Sequence, residues 1–336
     1  MALAATRLAQ LENLEEIAYD VTDERYGHRP WERPLERHFR YGFIPLDKPP
    51  GPTSHEVVAT VSRILGVKRA GHSGTLDPHV SGVLPIGLEE ATKALGLFLL
   101  GPKEYVAVGR LHHPVEEERL LAALREFVGA IYQKPPLRAS VKKETRIRHI
   151  YELELLERKG NLFLVRAKVE AGTYIRKLIF DIGEVLGVGA SMAELRRTRV
   201  CDIGERALVR LQDVYLAQKL YEREREVRGL YRVIRPIEEF LTHIKAVVVR
   251  DSAVDALCHG ARLTVPGIIR IHPGIEVGET VCVYTLKGEL IAIGRASMSA
   301  QQVALSKKGV AVEIDRVIME RGLYPRMWKS RQAQGL

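Results

Sequence analysis

Cysteine is scarce: Cys201, Cys258 and Cys282 are the three in 336 residues. Their separations match neither a paired metal-ligand spacing nor a disulfide framework, so structural thiols in a reducing compartment are expected. No apolar run reaches the roughly 18 residues of a membrane span, and residues 1–30 lack an apolar core between a basic start and a small-residue cleavage site. A soluble, cytoplasmic protein is the expectation. Acidic residues are outnumbered: 42 Asp and Glu stand against 51 Lys and Arg, giving a net charge of +9. That excess favours an acidic partner such as nucleic acid. Internal repeats and low-complexity tracts are also missing. What remains is a chain longer than one typical domain, with 46% hydrophobic residues to build cores.

The first 40 residues read as an extension: an acidic amphipathic piece (Glu12, Glu15, Glu16, Asp20), then a stretch in which Pro30 and Pro34 forbid a continuous helix. Regular patterning follows. Thr53 and Glu56 form a capping box ahead of a helix whose apolar face is Val57, Val58, Val61, Ile64 and Leu65, and Gly66 ends it. The pattern predicts a second helix over 88–100, a strand over 104–113, and a helix carrying Leu120, Leu124 and Phe127. A hairpin follows around Lys159, Gly160 and Asn161, then an amphipathic helix in "TYIRKLIFDIGEVLG" and one charged helix from about 219 to 241. Beyond Lys245, short strands separated by Gly and Pro turns suggest a small β-barrel. The expected fold class is α+β: a mostly antiparallel central sheet with flanking helices and a catalytic cleft, plus the C-terminal barrel. The expected organisation is 1–40 as an extension packed on the C-terminal domain, 41–240 as the main domain, 244–325 as the barrel and 326–336 as a basic tail.

"GHSGTLDP" (71–78), with "LDKPPGPTSHEVV" before it and "KEYVA", "GTYIRKLI" and "AELRRTR" after it, resembles the TruB and dyskerin group of pseudouridine synthases. "HGARLTVPGI" looks like the opening of a PUA domain. The motifs arrive in the family's order over about residues 40–325, and the N-terminal extension is most similar to the archaeal catalytic subunit of box H/ACA guide ribonucleoproteins. The resemblance implies isomerisation of uridine to pseudouridine in RNA: the bond from N1 to C1′ breaks, the base turns, and C5 joins C1′. No cofactor and no metal is implied.

By resemblance, Asp77 is the aspartate that would attack the ribose or take its C2′ proton. Read from its neighbours, this lone acid sits among Gly71, Gly74, Leu76, Val80, Gly82, Val83 and Leu84, so it is expected to be poorly hydrated and to need a cation. By resemblance Arg176 is that cation, and Tyr105 is the aromatic that stacks on the base and relays the C5 proton. A target uridine must leave its stack. His72 matches a histidine that inserts into RNA, Tyr174 and Leu195 match pocket-lining positions, and Lys48 matches a lysine that supports the active-site loop. His79 stands where archaeal relatives usually carry Lys.

Residues 134–148 hold six Lys or Arg (134, 138, 142, 143, 146 and 148) against one Glu, a density suited to phosphates. Lys142, Lys143, Arg146 and Arg148 are the RNA-binding candidates there, with Arg196, Arg197 and Arg199 as a second cluster. In the PUA segment, Gly260, Ala261, Leu263, Pro266 and Gly267 match the surface that grips the ACA end of a guide RNA in relatives. The implied partners are H/ACA guide RNA, rRNA, tRNA, and small ribonucleoprotein subunits of the Nop and Gar types. Two other readings are a stand-alone enzyme for a uridine of the tRNA T-loop and a non-catalytic scaffold in ribosome assembly. The short path from "PPLRASVKK" into the strand at 150–156 leaves no room for the longer tRNA-gripping insertion of bacterial relatives, and favours the guided reading.

Overall fold

In the computed structural model, residues 2–134 and 144–327 are described. Among them, ten strands form one large sheet whose main path runs Arg235–Pro236, Gly42–Lys48, Ser81–Leu88, Ala190–Val200, Lys103–Leu111, Leu162–Val169, Arg146–Lys159, Gly129–Gln133. Ser81–Leu88 is central and almost wholly buried, which is why it reads as a continuous run of small and aliphatic residues. It pairs antiparallel with Gly42–Lys48 and parallel with Ala190–Val200. The remaining neighbours pair antiparallel, and Lys159 opposes Leu162 across a tight turn in which Gly160 takes φ +58°.

Helices cover the sheet. Ser54–Leu65 has both capping-box bonds, Thr53 N–H to Glu56 at 2.7 Å and Glu56 N–H to Thr53 at 3.1 Å, and ends at Gly66 with φ +66°. Its Val57, Val58, Val61 and Leu65 are buried against Leu84, Ile86 and Val214. Ile175–Val185 buries Ile175, Leu178, Ile179 and Ile182 over Ala107, Val165 and Ala167.

Two expected helices break. Residues 88–100 finish the central strand at Leu88, turn through a 3₁₀ segment Glu89–Ala94 and close with the short helix Gly96–Leu99. Glu89 has φ +41°, and its carboxylate accepts Lys68 N–H, so the strand-to-helix corner overrides the local apolar spacing. The charged helix splits into Leu211–Glu224 and Arg228–Val233, because Arg225 adopts φ +58° and stops the first. Arg235–Pro236 then pairs with Gly42 and Phe43 as a sheet edge, the position a proline tolerates.

The second sheet has seven strands: Glu15–Glu16, Ile268–Ile271, Ala246–Val249, Thr280–Thr285, Leu290–Ala296, Val310–Val317 and Leu263–Thr264. The N-terminal segment supplies its first strand, with Glu15 opposite Ile271. Arg7 also reaches into this region and donates to the Tyr284 hydroxyl at 3.0 Å. The two sheets share a core in which Phe43, Phe98 and Phe240 pack with Ala246, Cys282 and Tyr284. At that junction Arg33 makes a two-pronged bond to Glu238 (2.6 and 3.1 Å), both side chains 3% exposed. Glu238 accepts Leu290 N–H, and Glu289 beside it accepts the Tyr324 hydroxyl at 2.8 Å. No helix among the described residues is long and apolar enough to cross a membrane.

Candidate active site

Asp77 lies on the loop joining strand Ala70–His72 to strand Ser81–Leu88. Arg176, on the first turn of helix Ile175–Val185, donates to Asp77 Oδ2 at 3.1 Å. These side chains come together from positions 99 residues apart. The expected poor hydration is not found: Asp77 is 66% exposed and Arg176 62%. Leu76 and Val80 turn into the core, so the apolar neighbours support the loop from below, while Asp77, Pro78 and His79 form its exposed tip. A pair so exposed contributes little to stability, about 0–1 kcal/mol. Backbone placement, rather than the pair's own attraction, fixes the geometry.

That placement comes from buried donors beneath the loop. Lys48 is fully buried, and its ammonium donates to the carbonyls of Pro49, Pro78 and Val80, each at 2.9 Å. Burial lowers its pKa, against the opposing pull of Asp77. Ser54 both accepts Leu76 N–H at 2.9 Å and donates to Leu76 C=O at 3.1 Å. Arg197, 2% exposed, donates to Gly74 C=O at 2.7 Å and Val83 C=O at 2.8 Å, which ties the two sides of the loop together. Glycine is required at position 82: a Cβ there would stand 2.1 Å from Arg197 C=O, at φ +106°.

Arg197 therefore faces the interior and not phosphate. Arg196 is likewise engaged, with Asp47 (2.9 Å) and Glu205 (2.6 Å). The sheet places the other candidates. Gly82 pairs with Arg197, and Arg197 pairs across the next ladder with Tyr105. Ala107 pairs with Leu195, so Tyr105 and Leu195 share one sheet face, half-buried on the core that underlies Ile175. Tyr174 is the residue before that helix. His72 is half-buried and edge-on to His55 (4.9 Å between centroids); both its ring nitrogens are buried without a hydrogen-bond partner, and burial lowers its pKa.

The RNA-binding candidates divide. Lys142 and Lys143 lie outside the described residues. Arg146 is half-buried, and Arg148 is 19% exposed and paired with Glu170 at 3.4 Å. In the second sheet's region, Gly260, Ala261 and Pro266 are exposed, whereas Leu263 and Gly267 turn inward and pack on each other. Two groups escaped the sequence reading. Lys307 and Lys308 form an exposed basic turn, brought beside Pro266 by the Val265 N–H bond to Gly309 C=O. Gln133, 2% exposed, bonds the backbone of Tyr174. Adjacent lysines before a glycine are a signal for the first; a lone glutamine gives none.

A large mixed sheet that brings an exposed aspartate and an arginine together is thus joined to a second, β-rich part. Residues 62–175 match the TruB family pseudouridylate synthase N-terminal domain, 176–242 the tRNA pseudouridylate synthase B C-terminal domain, 245–318 the PUA domain and 6–58 the DKCLD domain. The chain is 51% identical over 311 residues to a probable tRNA pseudouridine synthase B of Methanocaldococcus jannaschii, covering 93% of each chain. It is 52% identical to the protein of the same description in Pyrobaculum islandicum, covering 93% of this chain and 95% of that one. Among solved structures, a Cbf5-Nop10-Gar1 complex matches with TM-score 0.89 and 46% identity over 93% of this chain and 95% of that one. An archaeal box H/ACA Nop10-Cbf5 complex matches with TM-score 0.87 and 45% identity over 94% and 98%. The chain belongs to the TruB family of pseudouridine synthases, and its reaction is the isomerisation of uridine to pseudouridine.

Proposed function

We propose that this enzyme acts within a box H/ACA guide ribonucleoprotein, on uridines of rRNA selected by base pairing to a guide RNA. The likeness to Cbf5 over 93–94% of the chain carries this reading. Nop10- and Gar1-type proteins are the partners, and the cytoplasm is the compartment. Asp77 is the catalytic residue: its carboxylate attacks C1′ or takes the C2′ proton while the N1–C1′ bond breaks, and the base turns before C5 bonds to C1′. Exposure of the carboxylate suits this role, since it can meet a flipped nucleotide, whose base then excludes water. Arg176 is the partner of that carboxylate. Tyr105 stacks on the base and relays the C5 proton, Tyr174 and Leu195 line the pocket, Lys48 supports the loop, and His72 inserts into the RNA. Arg146, Arg148, Lys142 and Lys143 meet phosphates; Gly260, Ala261, Pro266 and the Lys307–Lys308 turn contact the guide, with Leu263 and Gly267 shaping that surface from beneath.

The names of the curated relatives give tRNA as a second substrate, and modification of a tRNA uridine without a guide is the alternative reading. Reconstitution with and without guide RNA and the two partner types, read by pseudouridine mapping, separates the two. Modification of rRNA only in the complete particle is the expected result. Equal rRNA modification by the chain alone would overturn the guided reading.

A further inference from the structure

We infer that Gln133 is a positioning residue for the reaction, setting Arg176 against Asp77 through the backbone of Tyr174. The inference rests on the Asp77–Arg176 reading above. Helix Ile175–Val185 begins without a side-chain cap of its own: Tyr174 stands at its N-cap position and makes no side-chain capping bond. Gln133, the last residue of strand Gly129–Gln133, instead holds the backbone of the N-cap residue from outside. Its Oε1 accepts Tyr174 N–H at 2.9 Å, and its Nε2 donates to Tyr174 C=O at 3.2 Å. The amide thus matches one residue's donor and acceptor together, as a neighbouring strand would. The same carbonyl accepts Leu178 N–H at 3.0 Å, so Gln133 bonds to the group that starts the helix. Arg176 is two residues further on, and its bond to Asp77 is solvent-exposed. An exposed guanidinium on a flexible stem is not held by its ion pair; its reach is set by where the helix begins. Gln133 is 2% exposed, so it fixes that start without touching solvent or substrate.

The test uses the particle reconstituted with guide RNA and a target strand, in single turnover. Gln133→Met retains the side chain's bulk and removes both hydrogen bonds. It should slow pseudouridine formation at least about tenfold, because a small misplacement of catalytic groups is costly, with target affinity changed less than about twofold. In an Arg176→Ala background the same substitution should change the rate less than about twofold, since the residue acts through Arg176. A Gln133→Met particle at wild-type rate, or one slowed equally in both backgrounds, overturns the inference. Should Gln133→Met lose its cooperative thermal melt, Gln133→Glu, which retains the acceptor and loses the donor, is subjected to the same two-background comparison and judged by the same two outcomes. Arg176→Ala at wild-type rate would instead overturn the Asp77–Arg176 reading itself.

Discussion

Two arginine–carboxylate pairs in this molecule sit at opposite extremes. Arg33 and Glu238, each 3% exposed, are locked at the junction of the two sheets, whereas Asp77 and Arg176 are 66% and 62% exposed. Similar bonds thus do different work. The buried pair is out of water and surrounded by packed side chains, so losing one partner strands a charge in the interior. In the exposed pair, water can replace either partner, so little stability depends on it and the carboxylate stays open to a substrate. Replacing an acid so placed costs the fold little. Rigidity comes instead from Lys48, Ser54 and Arg197 beneath the loop.

The sharpest way to break this contrast is Asp77→Asn. Turnover should fall by on the order of 10⁴-fold, measured by pseudouridine mapping, because no neighbouring group can replace the carboxylate. The thermal midpoint should stay within about 2 °C of wild type, as for the loss of an exposed pair. A large drop in the midpoint would make Asp77 a structural acid. At the other extreme, Glu238→Ala should destabilise the protein by about 3–5 kcal/mol in urea unfolding, by stranding the Arg33 guanidinium. Replacing both partners with apolar residues, Arg33→Met with Glu238→Leu, should recover much of the loss. If the single and double variants unfold alike, the pair is not the source of the cost.

Lys48→Met lies between these extremes. It leaves three loop carbonyls without their shared donor, so stability should fall by about 1–3 kcal/mol and the reaction should slow by about 10²-fold through loss of loop placement. A variant that loses stability but turns over normally would separate the loop's support from the chemistry. The smallest effect concerns pH. Burial holds the Glu289 carboxyl above the ordinary carboxylate range, against the pull of Arg33. The folded protein then binds this proton more tightly than the unfolded chain, so the contribution is present at low pH and lost as pH rises through the raised value. Glu289→Gln removes that loss. The variant's stability relative to wild type should therefore rise with pH through the raised range in thermal melts. A constant difference across that range would mean Glu289 titrates alike in both states.

Local signals were legible wherever the chain's own chemistry decides the outcome. The Thr53–Glu56 box, Gly66 at a helix end and the turn at Gly160 each involve neighbours a few residues apart, and each stands where the spacing predicts. The expected helix over 88–100 failed because its deciding partner is distant, and that over 219–241 failed first at Arg225, whose φ of +58° ends its first part, and then at a distant pairing. Glu89 is held by Lys68 N–H, and Pro236 is placed by its pairing with Gly42. Arg197 was misread for the same reason: among neighbouring arginines it looks like a phosphate contact, yet the parallel pairing of Gly82 with it turns the side chain under the loop.

By itself the sequence determined which chemistry the chain carries: an aspartate in a glycine-rich loop, an arginine at a helix start and an aromatic in a strand, in an order that identifies the family. Only the tertiary structure decided how Asp77 is hydrated, which arginines are buried or paired, and what holds the start of the Arg176 helix. Side-chain type and short spacing are written along the chain. Exposure and long-range hydrogen bonds depend on which residues the sheet brings side by side, as it brings Gln133 to Tyr174 across 41 positions.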